Sequence, residues 1–194
     1  MTGVQTCALP IFPEIVILGR PNTGKSTLFN RLAGRRDAVI HPKAGVTRDR
    51  KAVRFALNEQ REALLVDTGG LFPDDPDDFS GDIERQARLA ILSADLVIFL
   101  VDATAISGLD HDFADMVRRI SKPVLVVANK LDRTRDGALP PEVYELGFEN
   151  VIGISANHGT NCPELKTRLS EAIEEAARNL DQRQFALHEG AVLR

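Results

Sequence analysis

The stretch EIVILGRPNTGKSTLF, residues 14 to 29, constrains this chain more than any other. An apolar run from Ile15 to Leu18 leads into a loop bounded by Gly19 and Gly24. Lys25, Ser26 and Thr27 then open a segment whose apolar residues, Leu28, Phe29 and Leu32, recur at helical spacing. G-x-x-x-x-G-K-[ST] between a buried strand and a helix is a phosphate-binding loop. The backbone from Gly19 through Arg20, Pro21, Asn22 and Thr23 to Gly24 can curl so that its N–H groups converge on phosphate oxygens. The helix beginning near Lys25 aims its positive end at the same point. Lys25 adds a point charge there, and Ser26 offers a hydroxyl to Mg²⁺. A plain glycine-rich turn is the competing reading, and the apolar segments on both sides speak against it.

Composition limits what the loop can serve. With 194 residues the chain has room for one α/β domain with a substantial core. A net charge of −4 argues against nucleic-acid binding by the domain alone; RNA contact would need a local basic patch or another domain. No apolar run is long enough to span a membrane. Cys7 and Cys162 lack metal-ligand spacing and suit free thiols in a reducing cytoplasm.

Residues 1 to 12, MTGVQTCALPIF, carry neither a basic nor a long apolar region, so they are no secretory signal. They resemble a translated adapter remnant, with a native N-terminal arm as the alternative. The domain is expected from 13 to 180. The first helix should stop at Gly34. Residues 41 to 50, HPKAGVTRDR, read as a loop with Thr47 in its middle, and Lys51–Leu57 with Glu62–Val66 as a hairpin around Asn58 and Glu59.

The second hairpin strand ends in Asp67-Thr68-Gly69-Gly70. An aspartate at the carboxyl end of a buried strand, facing a phosphate loop, suits water-mediated Mg²⁺ binding. Gly70 can bring its N–H close to a γ-phosphate because no side chain intervenes. Residues 71 to 82 are rich in proline, glycine and aspartate; without calcium-loop spacing they read as a solvated, mobile loop. Asp82 is expected to cap a helix carrying Ile83, Ala87, Ala90 and Ile91 on one face.

Leu96–Val101 and Val124–Ala128 are apolar throughout, as strands covered on both faces are. Between them Asp110 is expected to cap a helix packed through Phe113, Met116, Val117 and Ile120. The second run enters Asn129-Lys130-Leu131-Asp132. The Asp132 carboxylate can accept hydrogen bonds from guanine N1–H and the exocyclic amine. Adenine lacks that pair of donors and would leave the carboxylate unpaired. Asn129 can hold the base edge and the phosphate loop, while the Lys130 stem lies over the ring. A short helix after Pro140 and Pro141 precedes a last strand, Val151–Ile154. That strand delivers Ser155-Ala156, whose N–H groups would meet the guanine carbonyl. His158 reads as a solvent-facing loop residue. Pro163 starts a helix with Leu165, Leu169, Ala172, Ile173 and Ala176 inward, and 181–194 reads as a linker start or tail. Strands alternating with helices predict a mostly parallel, six-stranded sheet with helices on both faces and the ligand at the strands' carboxyl ends.

The ordered set GRPNTGKST, Thr47, DTGG, NKLD and SA resembles a Ras-like P-loop G domain of the translation-factor-related GTPases. More narrowly, residues 19–50 with DTGGL and LGFENVIGISANHG resemble the first G domain of the bacterial Der (EngA) family. Era-like members usually carry D-T-P-G, and tRNA-modifying members D-T-A-G. The resemblance implies GTP hydrolysis with Mg²⁺ and a role in large ribosomal subunit assembly. It implies that Lys25 holds the β,γ-phosphates, that Ser26 and Thr47 ligate Mg²⁺ and that Asp67 orients its water shell. Gly70 senses the γ-phosphate, and Asn129 and Asp132 select guanine.

Leu71 follows Gly70, where Ras-type members place a glutamine that orients the attacking water. Similar families use K⁺ held partly by a loop asparagine, here Asn22, so slow, K⁺-stimulated hydrolysis is expected. The family also carries a second G domain and a KH-like domain, which these residues do not include. HGTNCPEL lacks the family's H-G-x-G turn. The alternatives are a nucleotide-dependent binding switch that barely hydrolyses, or the G domain of an Era-like, tRNA-modifying or iron-transporting relative.

Overall fold

The computed structural model describes residues 12–34, 51–68, 81–120 and 122–192, and for 81–84, 86 and 179–192 the backbone alone. In chain order the elements are β1 (Glu14–Leu18), α1 (Lys25–Ala33), β2 (Lys51–Ala56), β3 (Glu62–Asp67), α2 (Gly81–Ser93) and β4 (Leu96–Asp102). There follow α3 (Gly108–Arg118), β5 (Val124–Asn129), α4 (Pro141–Tyr144), β6 (Val151–Gly153) and α5 (Cys162–Val192). The strands form one six-stranded sheet in the order β2-β3-β1-β4-β5-β6. Only β2 runs antiparallel, paired with β3 through the expected hairpin; the other neighbours are parallel.

Every residue of β1 and β4 is buried because each strand has helices on both faces. Alternation sorts their side chains between two cores. Val16, Leu18, Val97 and Phe99 join Ala87 and Ile91 of α2 and Phe113 and Val117 of α3. Ile15, Ile17, Ile98 and Leu100 join Leu28 and Leu32 of α1 and Leu165 and Leu169 of α5. Fully burying a side chain of this size stabilises by about 1.5–3 kcal/mol, so the two cores hold the sheet rigid beneath its loops. Met116 is buried in the first core, as its spacing indicates.

Three local expectations change. Helix α2 starts at Gly81, so Asp82 lies inside it rather than capping it. Helix α3 is capped by Ser107, and Asp110 sits three residues in as the far member of a capping box. Its Oδ2 accepts the Ser107 N–H and hydroxyl, both at 2.9 Å. Helix α5 runs through the segment expected as linker start or tail, as far as Val192. Of the segment read as non-native, residues 1–11 lie outside the described residues; the ring of Phe12 lies 5.0 Å from the Arg54 guanidinium.

Candidate functional site

The phosphate loop between β1 and α1 is held through its carbonyl groups. Lys25 Nζ donates to Gly19 O and Arg20 O, both at 2.8 Å. Thr23 Oγ1 donates to Arg20 O at 3.0 Å, Asn129 Nδ2 to Thr23 O at 2.8 Å, and Lys130 Nζ to Asn22 O at 2.7 Å. None of these bonds takes an N–H, the group an anion needs. Gly24 has φ +96°, and a Cβ there would stand 2.4 Å from Asn129 Nδ2. At Gly19 a Cβ would stand 2.2 Å from the main-chain oxygen of Leu100. The two glycines are therefore required by close approach as well as by curl. Asn22, at φ 63°, is exposed at the loop's turn. Pro21 is half-buried beside it, and Thr27 is exposed on the first turn of α1.

Lys25 is buried at 6% exposure, and burial brings its pKa from 10.5 down to about 8, with Asp67 pulling it up and Arg20 pushing it down. Its ammonium thus sits in a low-dielectric pocket where a phosphate's charge is strongly felt. The Ser26 hydroxyl donates to Asp67 Oδ2 at 3.1 Å, which brings a hard hydroxyl and a hard carboxylate together at the end of β3. That donor chemistry fits Mg²⁺, which takes one or two protein oxygens and fills its shell with water and phosphate. Among the described residues no group of three or more His, Cys, Asp or Glu could hold a metal. Thr68 is buried, with its hydroxyl donating to Ile17 O at 2.6 Å; it locks β3 to β1. Thr47, Gly69, Gly70 and Leu71 lie outside the described residues.

On the opposite side Asn129 pins two loops together. Beside its bond to Thr23 O, its Oδ1 accepts the Ala156 N–H at 2.9 Å. The Ser155 N–H donates to Thr160 O at 3.2 Å, so both N–H groups expected to face the base are engaged inside the protein. Lys130, at φ 66°, reaches back over the phosphate loop, and its Nζ also meets Asp102 Oδ2 at 2.6 Å. Asp132 sits on the short turn Leu131–Arg133. A hydrogen bond from Ser155, ahead of nearby His158 and Arg133, holds its carboxyl below the usual carboxylate range. It is therefore ionised at neutral pH, the state that accepts two N–H bonds. His158 is largely exposed, as expected, with Nε2 3.5 Å from Asp132 Oδ2.

Three site residues escape the sequence reading. Asp102 ends β4 in register with Asn129 at the end of β5, and that charge closing an apolar strand was its signal. Burial pushes its carboxyl up, but bonds from Lys130 and Thr104 outweigh this and hold it low. Arg31 of α1 donates to Ala156 O at 2.9 Å and to Asn157 O, tying the 155–157 turn to the helix that follows the phosphate loop. Asp110 takes the Arg20 side chain: Arg20 Nε donates to its Oδ2 at 2.9 Å. The guanidinium of Arg20 is thus drawn to α3, and only its main chain belongs to the loop's concavity. A cleft of about 450 Å³ between Thr104, Ile106, Arg133 and Arg135 contains none of the motif residues.

Asn129 ties the phosphate loop to the turn that follows β6, so the two loops are held together as one unit at the carboxyl ends of the strands. That shared pin sets the domain among the P-loop GTPases rather than among phosphate-binding domains in general. Comparison with known proteins makes this specific. The family model described as 50S ribosome-binding GTPase matches residues 14–130, and the chain belongs to that family. It is 46% identical over 163 residues to GTPase Der of Paracidovorax citrulli, covering 84% of this chain and 36% of that protein. It is 46% identical over 164 residues to GTPase Der of Thermosynechococcus vestitus, again covering 84% and 36%. The chain therefore spans about a third of the length of these relatives. Among solved structures it is similar to an Era variant of Aquifex aeolicus bound to GDP·AlF4⁻, with TM-score 0.65, 30% identity, and 82% of this chain and 56% of that one covered. The G domain of the Thermotoga maritima (T. maritima) FeoB iron transporter aligns with TM-score 0.63 and 25% identity, covering 86% and 99%. No helix among the described residues is long and apolar enough to cross a membrane.

Proposed function

We propose that this chain is the first G domain of a Der-type protein, that it binds GTP and GDP with Mg²⁺, and that it hydrolyses GTP to GDP and phosphate. The observation that carries the reading is Asn129, bonded at 2.8 Å to the phosphate loop and at 2.9 Å to the turn that follows β6. In this reading Lys25 holds the β,γ-phosphates, while the N–H groups of residues 19–27 cradle them. Ser26 and Thr47 would hold Mg²⁺ with Asp67 orienting its water, and the ion would supply charge neutralisation on the phosphates. Gly69 and Gly70, which carry no side chain, would meet the γ-phosphate through their N–H groups, and Thr68 is anchored to β1 through Ile17 O. Asp132 selects guanine, Lys130 covers the ring, and the Ser155-Ala156 turn closes the pocket around the base. The attacking water displaces GDP at the γ-phosphorus, and its protons leave with inorganic phosphate.

Leu71 cannot orient that water, so we infer slow turnover with K⁺ held by Asn22 supplying the missing charge stabilisation. Asn22 is exposed, and its main-chain carbonyl is already occupied by Lys130, which leaves the side-chain amide for an ion. The full-length protein would act in large ribosomal subunit assembly in the cytoplasm, through domains beyond these residues. The same leucine favours a second reading, a switch that binds nucleotide but barely turns it over. The deciding experiment is single-turnover GTP hydrolysis by the chain in KCl and in NaCl, with ATP as control. Turnover faster in KCl and absent with ATP is expected. Equal rates in the two salts would sink the K⁺ assignment, and binding without turnover in either would favour the switch.

A further inference from the structure

The side chain of Arg20 leaves the phosphate loop and enters the start of α3. Its Nε donates to Asp110 Oδ2 at 2.9 Å and its Nη2 to Ala105 O at 2.6 Å. Asp110 is fully buried, and the same Oδ2 also accepts the N–H and hydroxyl of Ser107. Its Oδ1 is buried and has no hydrogen-bond partner among the described residues. A buried carboxylate with one oxygen unsatisfied depends heavily on the single cation that meets the other. That cation belongs to the residue whose carbonyl receives both Lys25 Nζ and Thr23 Oγ1.

We propose that Asp110 is a positioning residue for the phosphate loop: acting through Arg20, it fixes the carbonyl on which Lys25 rests and so the place of the ammonium. The inference rests on the nucleotide reading above. Asp110 touches no substrate atom in it, and its charge does two tasks with one oxygen. It closes the first turn of α3 through Ser107, and it holds the middle of the phosphate loop through Arg20. The start of α3 and the nucleotide's phosphates thereby become mechanically linked, although 90 residues separate Arg20 from Asp110 in sequence.

The test is a double-mutant cycle of Arg20→Gln, Asp110→Asn and the pair, read as the dissociation rate of a fluorescent GDP and as Tm. Each single variant is expected to speed GDP release by about tenfold, and the pair to be no faster than either alone, because both break one link. A residue that only caps α3 would lower Tm in both Arg20 backgrounds and leave GDP release unchanged; that result, or strictly additive effects, overturns the proposal. If Asp110→Asn does not fold, Arg20→Gln decides alone, since Ser107 still donates two hydrogen bonds to Asp110 Oδ2 when the cation is gone. Release within about twofold of the unsubstituted chain then overturns it. The unsubstituted chain is assayed alongside with GDP and ADP. Failure to retain GDP over ADP removes the nucleotide reading itself, and the positioning role with it.

Discussion

In the proposed reading Asp132 discriminates between bases, and its ionised carboxyl can be turned into a different reader. Asp132→Asn presents a donor where guanine also donates, so GTP affinity should fall about a hundredfold or more. Xanthosine triphosphate, whose 2-oxo group needs a donor, should gain. Competition binding with the two nucleotides measures this, and an unchanged preference for GTP would refute the role given to Asp132. Asp102 makes a prediction in pH. Its folded-state pKa is depressed by Lys130 and Thr104, so its contribution is present above the unfolded carboxylate value and lost as pH falls through the folded one. Asp102→Asn should cost about 1–2 kcal/mol at pH 7, and the deficit should close below pH ~4 in denaturant titrations. Gly24→Ala places a Cβ 2.4 Å from Asn129 Nδ2 at a φ that L-residues avoid. It should abolish tight nucleotide binding while the sheet, probed by circular dichroism, still forms. The phosphate-loop glycines and Asp132 could be singled out in the sequence because spacing and side-chain chemistry mark them. The roles of Arg31, Asp102 and Asp110 were not legible there, because each works through a partner between 28 and 125 residues away that only the fold brings near.

Among the elements, β1, β4 and β5 could be read directly, since two-sided burial leaves an unbroken apolar run. The cap of α3 could have been read too, because Ser107-Gly108-Leu109-Asp110 has capping-box spacing, yet the acidic side chain drew the assignment to Asp110. The far half of α5 could not. Its last buried side chain among those described is Ile173, and the sequence beyond it shows no clear apolar period although it is rich in good helix formers. The link between α1 and the 155–157 turn can be cut on its own. Arg31→Ala removes two bonds to main-chain oxygens, and the turn that braces Asp132 loses its anchor. GDP dissociation should quicken about three- to tenfold with a small change in Tm, as expected for a partly exposed arginine. Stopped-flow displacement checks it.

For the molecule as a whole, all the described motif residues gather at the carboxyl edge of the sheet, and the two cores beneath it are continuous from β1 outward. Isothermal titration should therefore find one guanine-nucleotide site per chain, with GDP affinity rising when Mg²⁺ is added and falling on chelation. The phosphate loop has a further consequence, for how such a domain can change over generations. Its shape is fixed by bonds to the main-chain oxygens of Gly19, Arg20, Asn22 and Thr23, which any residue possesses. The side chain at position 22 makes none of these bonds, so it can change among the few residue types, asparagine and glycine foremost, that accept its left-handed φ of 63° without dismantling the loop. A lineage could speed or slow its molecular clock there, one codon at a time, while still holding the same nucleotide.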